Sequence, residues 1–553
     1  MGGRAMRKQN FTFSRRSSGV LLHPTSLPGH HGSGDLGPAA YRFIDFLSSA
    51  GQTWWQMLPV NPPGDPPGNS PYSSTSAFAG SPWLISLDLL VEDGLLNKLD
   101  SAPEGPLNGH VVAQRRKGFE FRRHRLRKAF TTFSRKRGGV DRDAFESYCR
   151  THRRWLDDWG LYAALRDKHD GTPWYTWPEE LRLRKPAALR EARRSLAGEV
   201  KYQQFLQFIF ARQWGALRAY AHSRGVGLIG DIPIFVSHDS ADVWAHRSLF
   251  LLDEQGTPKA ISGYPPDRFN ALGQTWGHSQ YAWPAHRRER FAWWILRFRE
   301  TLRLFDGVRI DHFLGFHRTW HIPFGAANAK RGKWVASPGF ELFRAMQRAL
   351  PDAQIIAEDL GKLTSQAATL RDAFKFPGMR VMQFGFGTGG DYHLPHRYPK
   401  RSVIYPGTHD NNTIVGWLDE LRTSDSVPLR RTRAIEYSKV LRYLNADGRA
   451  VHLDLIRAAM SSIADTVIFQ AQDILGLDAR SRMNVPGTVE NNWRWRLREG
   501  QLAPSHAAKL REMCELYDRL SPSASAPGTP GQGGGERRTR RRTRSKIRIA
   551  VNA

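Results

Sequence analysis

Four acidic side chains each close a short apolar run: Asp231 in "GLIGDIPIF", Asp311 in "GVRIDHF", Glu358 in "QIIAEDLG" and Asp410 in "SVIYPGTHDNN". Charge at the end of a buried run is costly unless it is paired or used. Arg309 stands two residues before Asp311, His312 directly follows it, and His409 directly precedes Asp410. Convergent carboxylates have two common uses. A metal cage would need further ligands, and His312 and His409 sit beside the acids without HxH or HExxH spacing. Glycoside chemistry needs two acids in different protonation states, one an ionised nucleophile and the other a proton donor with a raised pKa. Along an extended strand Arg309 points the same way as Asp311, so it would keep that carboxylate ionised and aimed. On spacing alone, the pair reads equally well as a structural brace at a barrel rim.

Other runs share this design: "GVLLHPTSLPG", "TWWQMLPVNPP", "GMRVMQFGFG" and "TVIFQAQDILG". Between the runs lie stretches of helical period such as "YRFIDFLSSAG", "QWGALRAYAHSRG" and "RERFAWWILRFRETLRLF". Strands alternating with helices predict parallel βαβ units. Eight such strands fit an α/β fold of the (β/α)₈ TIM-barrel type, whose catalytic groups gather at the C-terminal strand ends. Every polar cluster here falls on that side of its run. The expected organisation is a flexible segment 1–17, a catalytic barrel 18–520 and a disordered basic tail 521–553. Within the barrel we expect a helical insertion at about 90–200 and a long active-site loop at about 250–290.

The 553 residues include 18 Trp, and aromatics make up 11%, enough for flat platforms on which sugar rings or bases could stack. Lys and Arg number 81 against 52 Asp and Glu, a net charge of +29 that raises the question of a nucleic-acid partner. Part of the excess sits in the tail "ERRTRRRTRSKIR". More lies in "RRKGFEFRRHRLRKAF", around an apolar stripe of Phe119, Phe121, Leu126 and Phe130 that predicts a helix with a solvated cationic face. Neither stretch is a reading motif, so no specific nucleic acid is expected. Cys149 and Cys514 lie far apart and read as isolated thiols in a reducing compartment. No run approaches the roughly 18 apolar residues of a membrane span, and the basic N-terminus has no apolar stretch behind it. A cytoplasmic protein without a membrane partner is the expectation.

The motifs "GVRIDHF…GF", "IIAEDLG", "GTHDNNT.VGW", "GD.PIFV.HDSADVWA", "PPD.F…GQ.WG….Y.W" and "RMN.PGT…NW.WR" occur in this order with "GVLLHPTSLPG" and "SPYSS.SAFAG". Together, over about residues 18–500, they resemble the 4-α-glucanotransferases, the amylomaltase or disproportionating-enzyme branch of the α-amylase-like clan. The resemblance implies a retaining transfer of α-1,4-glucan segments, with Asp311 as nucleophile, Glu358 as general acid/base and Asp410 as the third carboxylate. It implies sugar contacts for Arg309, His312 and His409, and proposes Tyr72, Tyr264, Gln274, Trp276 and Asn484 as further glucan-binding residues. Asp231 would line the mouth, holding either a sugar or a neighbouring arginine. Malto-oligosaccharides and linear α-1,4-glucans such as amylose and glycogen or starch fragments would be substrates, with glucose as an acceptor. No cofactor and no metal are implied. The chain departs from the family pattern at Leu314, where an arginine is common, at His278-Ser279 in "WGHS", and in "FNALGQ". These changes bear on loop shape and acceptor preference. The rival readings are a hydrolase of the same clan and a glucan-binding protein without catalysis.

Overall fold

Twelve strands form among the described residues: β1 (Ser17–Leu21), β2 (Trp54–Gln56), β3 (Gly227–Ile232), β4 (Ala260–Tyr264), β5 (Gln274–Ser279), β6 (Gly307–Ile310), β7 (Arg318–Pro323), β8 (Lys333–Ala336), β9 (Ile355–Ala357), β10 (Gly378–Val381), β11 (Ser402–Tyr405) and β12 (Thr466–Gln470). The structure, a computed structural model, describes residues 11–64, 70–103, 107, 112–135, 142–266, 270–361, 364–423, 427–488 and 490–521. Eight strands close a parallel barrel in the order β1–β12–β11–β10–β9–β6–β3–β2. They are the eight apolar runs of the sequence, each buried along almost its whole length.

The two-residue period of a strand divides the core. Trp54, Ile229, Ile356, Met379, Val403 and Ile468 fill the inside of the barrel. Their strand neighbours Trp55, Leu228, Ile355, Ile404 and Val467 pack outward with the helices. Gly19 makes room for the largest inner ring, since a Cβ there would stand 2.4 Å from Trp54. On β6 the outward residues are Val308 and Ile310. Alternation therefore turns Arg309 inward, and the same rule turns Asp231 inward beside Ile229.

Parts of the chain differ from what the sequence suggests: of the segment 1–17 expected to be flexible, Phe13 is buried against Trp54 and Ser17 opens β1. The stretch at about 250–290, expected as a loop, contributes β4, β5 and a short helix Trp283–Arg288. With β7 and β8 these two strands make a four-stranded antiparallel sheet in the order β5–β4–β7–β8. Its strand signal is masked by Pro and Gly, and β4 finds its β7 partner far along the chain, Ala260 opposite Pro323 and Gly263 opposite Trp320. The helix Val112–Arg135 forms as the apolar stripe predicts, but one of its cations is not solvated. Arg122 is fully buried and donates to the carbonyls of His31, Ile85 and Ser33 and to Asp35. It ties the inserted helix to the loop after β1. The basic tail from residue 522 lies outside the described residues, as do residues 1–10.

At the opposite end of the barrel from the acids, Arg519 closes the ring. It is fully buried and donates to five carbonyls: Met460 at 2.7 Å, Ala464 at 2.9 Å, Ser17 and Ser462 at 3.0 Å and Asp465 at 3.2 Å. Ser17 opens β1 and Asp465 precedes β12, so one side chain fastens the first strand to the last. Arg519→Met should cost about 3 kcal/mol or more, because it leaves several buried carbonyls unsatisfied. The check is a fall in the denaturant midpoint, with Arg519→Lys recovering only part of it.

Candidate active site

The inward parity of β3, β6 and β9 brings Asp231, Arg309, Asp311 and Glu358 to one mouth. Arg309 is buried, and its Nη1 contacts both oxygens of Asp231, at 2.8 and 2.9 Å, and Asp311 Oδ1 at 3.1 Å. Asp231 and Arg309 are register partners on adjacent strands. The guanidinium thus leans chiefly on a carboxylate 78 residues away and secondarily on the near neighbour that spacing suggested. Asp231 is fully enclosed, with Tyr72 Oη donating to its Oδ2 at 2.7 Å. Its contacts are those of the arginine-holding alternative.

Glu358 is held by two backbone amides, Leu360 to Oε1 at 2.9 Å and His312 to Oε2 at 2.7 Å. His312 adopts a left-handed backbone (φ 50°, ψ 51°), unusual for a side-chain-bearing residue, and that turn aims its amide at the acid. The next residue, Asp359, accepts from Arg371 and from the Met379 amide, anchoring the end of β9. Gly378 permits this, for a Cβ there would come within 2.5 Å of Asp359 Oδ2. Burial pushes Glu358 up to about 7; Arg309 opposes the rise and the like charge of Asp311 adds to it. Burial also pushes the His312 imidazole below its ordinary value, against the pull of Asp311, so it stays neutral at neutral pH.

Asp410 lies beyond β11 and is half-buried. Asn484 Nδ2 donates to its Oδ1 at 2.6 Å, and Arg482 holds its carbonyl at 2.7 Å. His409 Nε2 lies 2.9 Å from Tyr72 Oη and 3.5 Å from Asp410 Oδ1. Since the Tyr72 proton points to Asp231, His409 Nε2 must carry its own hydrogen to complete the chain. Tyr72 also stacks on His409, ring centroids 5.4 Å apart. Burial and Asp231 together raise the Tyr72 phenol well above its ordinary value, so its proton stays in place.

The rings foreseen in the 250–290 stretch come to the Glu358 flank. Trp276 and Tyr264 stand edge-on to His312 at 5.0 and 6.3 Å, and Gln274 accepts from the Trp276 indole at 3.1 Å. All twelve candidate residues therefore lie on one connected constellation. Spacing missed three neighbours. Trp493, in the "NW.WR" motif, lies 6.0 Å from both Tyr72 and His409. Arg482 holds two of the loops together. Trp334 meets Tyr264 edge-on at 6.1 Å. Beside Trp493 opens a cavity of about 530 Å³ that runs toward Trp83 and Phe119 under the inserted helix. Among the described residues no group of three or more His, Cys, Asp or Glu could hold a metal ion, and no helix is long and apolar enough to cross a membrane.

A family model described as 4-alpha-glucanotransferase matches residues 22–502. The 4-alpha-glucanotransferase of Thermus thermophilus is 43% identical over 509 residues, spanning 91% of this chain and 99% of that one. The chloroplastic/amyloplastic 4-alpha-glucanotransferase of Solanum tuberosum is 42% identical over 516 residues, spanning 92% and 87%. Among solved structures, the amylomaltase from Streptococcus agalactiae in complex with acarbose is similar at a TM-score of 0.85 and 36% identity, over 92% of this chain and 100% of that one.

Glu358 offers a test that needs no substrate. Its carboxyl titrates at about 7 in the fold, against an ordinary value of 4.5. Between those values the unfolded chain has released a proton that the folded one keeps, so Glu358 makes stability decline as pH rises. Below the window both states are protonated, and above it both are ionised. Glu358→Gln removes the titration and adds a pH-independent offset, because its amide nitrogen faces a backbone N–H. The stability of the variant minus that of the wild type should grow by about 2–3 kcal/mol from pH 4 to pH 8. Denaturant unfolding at both pH values measures this, and a constant difference would mean an unshifted carboxyl.

Proposed function

The chain belongs to the 4-alpha-glucanotransferase family of glycosyltransferases, and from that premise we propose that it transfers α-1,4-glucan segments by a retaining double displacement. Asp311 attacks the anomeric carbon of the donor as the bond to the departing oxygen breaks, and Glu358 gives that oxygen its proton. The glycosyl group then rests on Asp311. Glu358, now a carboxylate, takes the proton of an acceptor 4-hydroxyl, whose oxygen displaces Asp311 and restores the α configuration.

The observation that carries this reading is one arginine set among unequal acids. Arg309 contacts Asp311 and aims it for attack, while burial leaves Glu358 able to hold a proton at neutral pH. Asp410, fixed by Asn484 and His409, takes hydroxyls of the sugar at the cleavage point. The neutral His312 donates to that sugar without adding positive charge beside the oxocarbenium-like transition state. Donors and acceptors are malto-oligosaccharides and linear α-1,4-glucans, with glucose the smallest acceptor. The acarbose held by the Streptococcus agalactiae relative supports an oligosaccharide ligand. Transfer outpaces hydrolysis when an acceptor is bound and oriented, since effective molarity then outweighs bulk water.

Incubation with maltotriose should yield glucose together with maltotetraose, maltopentaose and longer chains. Asp311→Asn should lower the rate by about 10³-fold or more, through loss of the nucleophile. The wild-type rate should fall as pH rises through about 7, where Glu358 loses the proton it donates. Glucose and maltose without longer products would replace the transfer reading with hydrolysis.

A further inference from the structure

Glu358 gives the site a direction. The acid that protonates the departing oxygen marks the side where the leaving glucan sits, and the acceptor later enters on that same side. Trp276 and Tyr264 belong to it, because their rings pack on the residue whose amide holds Glu358. Tyr72, His409, Asp410 and Asn484 form the opposite flank, joined by the Tyr72–His409 and Asn484–Asp410 hydrogen bonds and a 3.5 Å contact between His409 and Asp410.

The row of rings does not end at Tyr264. Trp334 stands a further 6.1 Å out, on β8, the edge strand of the antiparallel sheet. Trp334 is 37% exposed, in contrast to the many tryptophans buried in the core. It is nevertheless braced. Trp320, its register partner on β7, meets it edge-on at 5.2 Å, and the Arg318 guanidinium lies 4.4 Å from its ring centre. Trp320 is locked in turn by its indole bond to the Ala329 carbonyl at 2.9 Å. A large apolar ring held rigidly but left partly bare adds little to the core. It is suited to take the apolar C–H face of a sugar at low entropic cost.

We propose that Trp334 is a specificity-determining residue, an outer platform for the acceptor chain that rewards acceptors longer than one glucose. The proposal rests on the transfer reading above. Its reach follows from the spacing: the ring lies two steps, of 6.3 and 6.1 Å, beyond His312. A single glucose at the first acceptor position meets Trp276 and Tyr264, whereas only the second or third sugar of a longer acceptor reaches the indole.

The test uses α-maltotriosyl fluoride as donor. Its leaving group is fluoride and the 4-hydroxyl of its non-reducing end is blocked as a methyl ether, so it cannot itself serve as acceptor and the Glu358 side is left to the added sugar. With Trp334→Ala the KM for maltotriose as acceptor should rise about five- to tenfold, as loss of one stacking contact predicts. The KM for glucose as acceptor should change by less than about twofold, since it makes no contact to lose. Trp334→Phe should recover most of the maltotriose effect. Equal rises for both acceptors would make the ring a mere prop, and no rise for either would remove it from the acceptor path; both overturn the proposal. Should the alanine variant not fold, Trp334→Leu is read by the same comparison. Failure of the wild type to transfer to any sugar would overturn the transfer reading itself.

Discussion

Arg309 sits 4% exposed in the barrel, with one nitrogen on both oxygens of Asp231 and on one oxygen of Asp311. Its positive charge is shared among carboxylates that the strand ends force together. Glu358 is near enough to feel both the arginine and Asp311. One buried cation is shared among three carboxyls, two of them buried, and the buried one without a contact to it is the one whose pKa rises to about 7. Asp231 takes the bulk of the guanidinium and the Tyr72 proton as well. Asp311 takes a single arginine contact and keeps some exposure to solvent. Glu358 has only two backbone amides and the most complete burial of the two mouth acids. The raised Glu358 pKa therefore follows from burial with only neutral donors in contact, whereas Asp311 has a cationic contact and remains open to solvent.

The same constraint reaches across the mouth. Because Asp231 draws the Tyr72 proton inward, Tyr72 offers only lone pairs to His409, which sets the tautomer of that imidazole. His409 then presents a hydrogen near Asp410, whose Oδ1 already receives Asn484. The left-handed turn at His312 belongs to this arrangement too. Its strain is offset by an amide that holds Glu358 and by rings packed on its imidazole. The two flanks of the site are thus tied to one arginine through short chains of contacts.

Much of this was legible in the sequence because strands obey a simple parity. "GVRID", "LIGD" and "IIAE" each alternate an outward apolar residue with an inward one, so the acids were bound to face the barrel mouth. The eight runs that became barrel strands were visible for the same reason. The cross-strand contact of Arg309 with Asp231 was less legible, since register between strands 78 residues apart is a property of the closed barrel. Arg122 looked like one more solvated cation in an arginine-rich helix. Only the tertiary fold shows four acceptors converging on it. The antiparallel sheet was hidden by its Pro- and Gly-rich composition, and with it the position of Trp334.

The imidazoles around the mouth complete the electrostatic argument. Burial pushes His278 down to about 4 and lowers His312, so neither brings a charge at neutral pH. A histidine that became cationic beside Asp311 would compete with Arg309 for it and would lower the Glu358 pKa by adding positive charge nearby. The acid would then lose its proton below neutral pH, and departing oxygens would go unprotonated. Enclosing these rings therefore preserves the inequality between the two acids. His278, one of the departures named from the sequence, brings no charge to the site because burial holds its pKa at about 4.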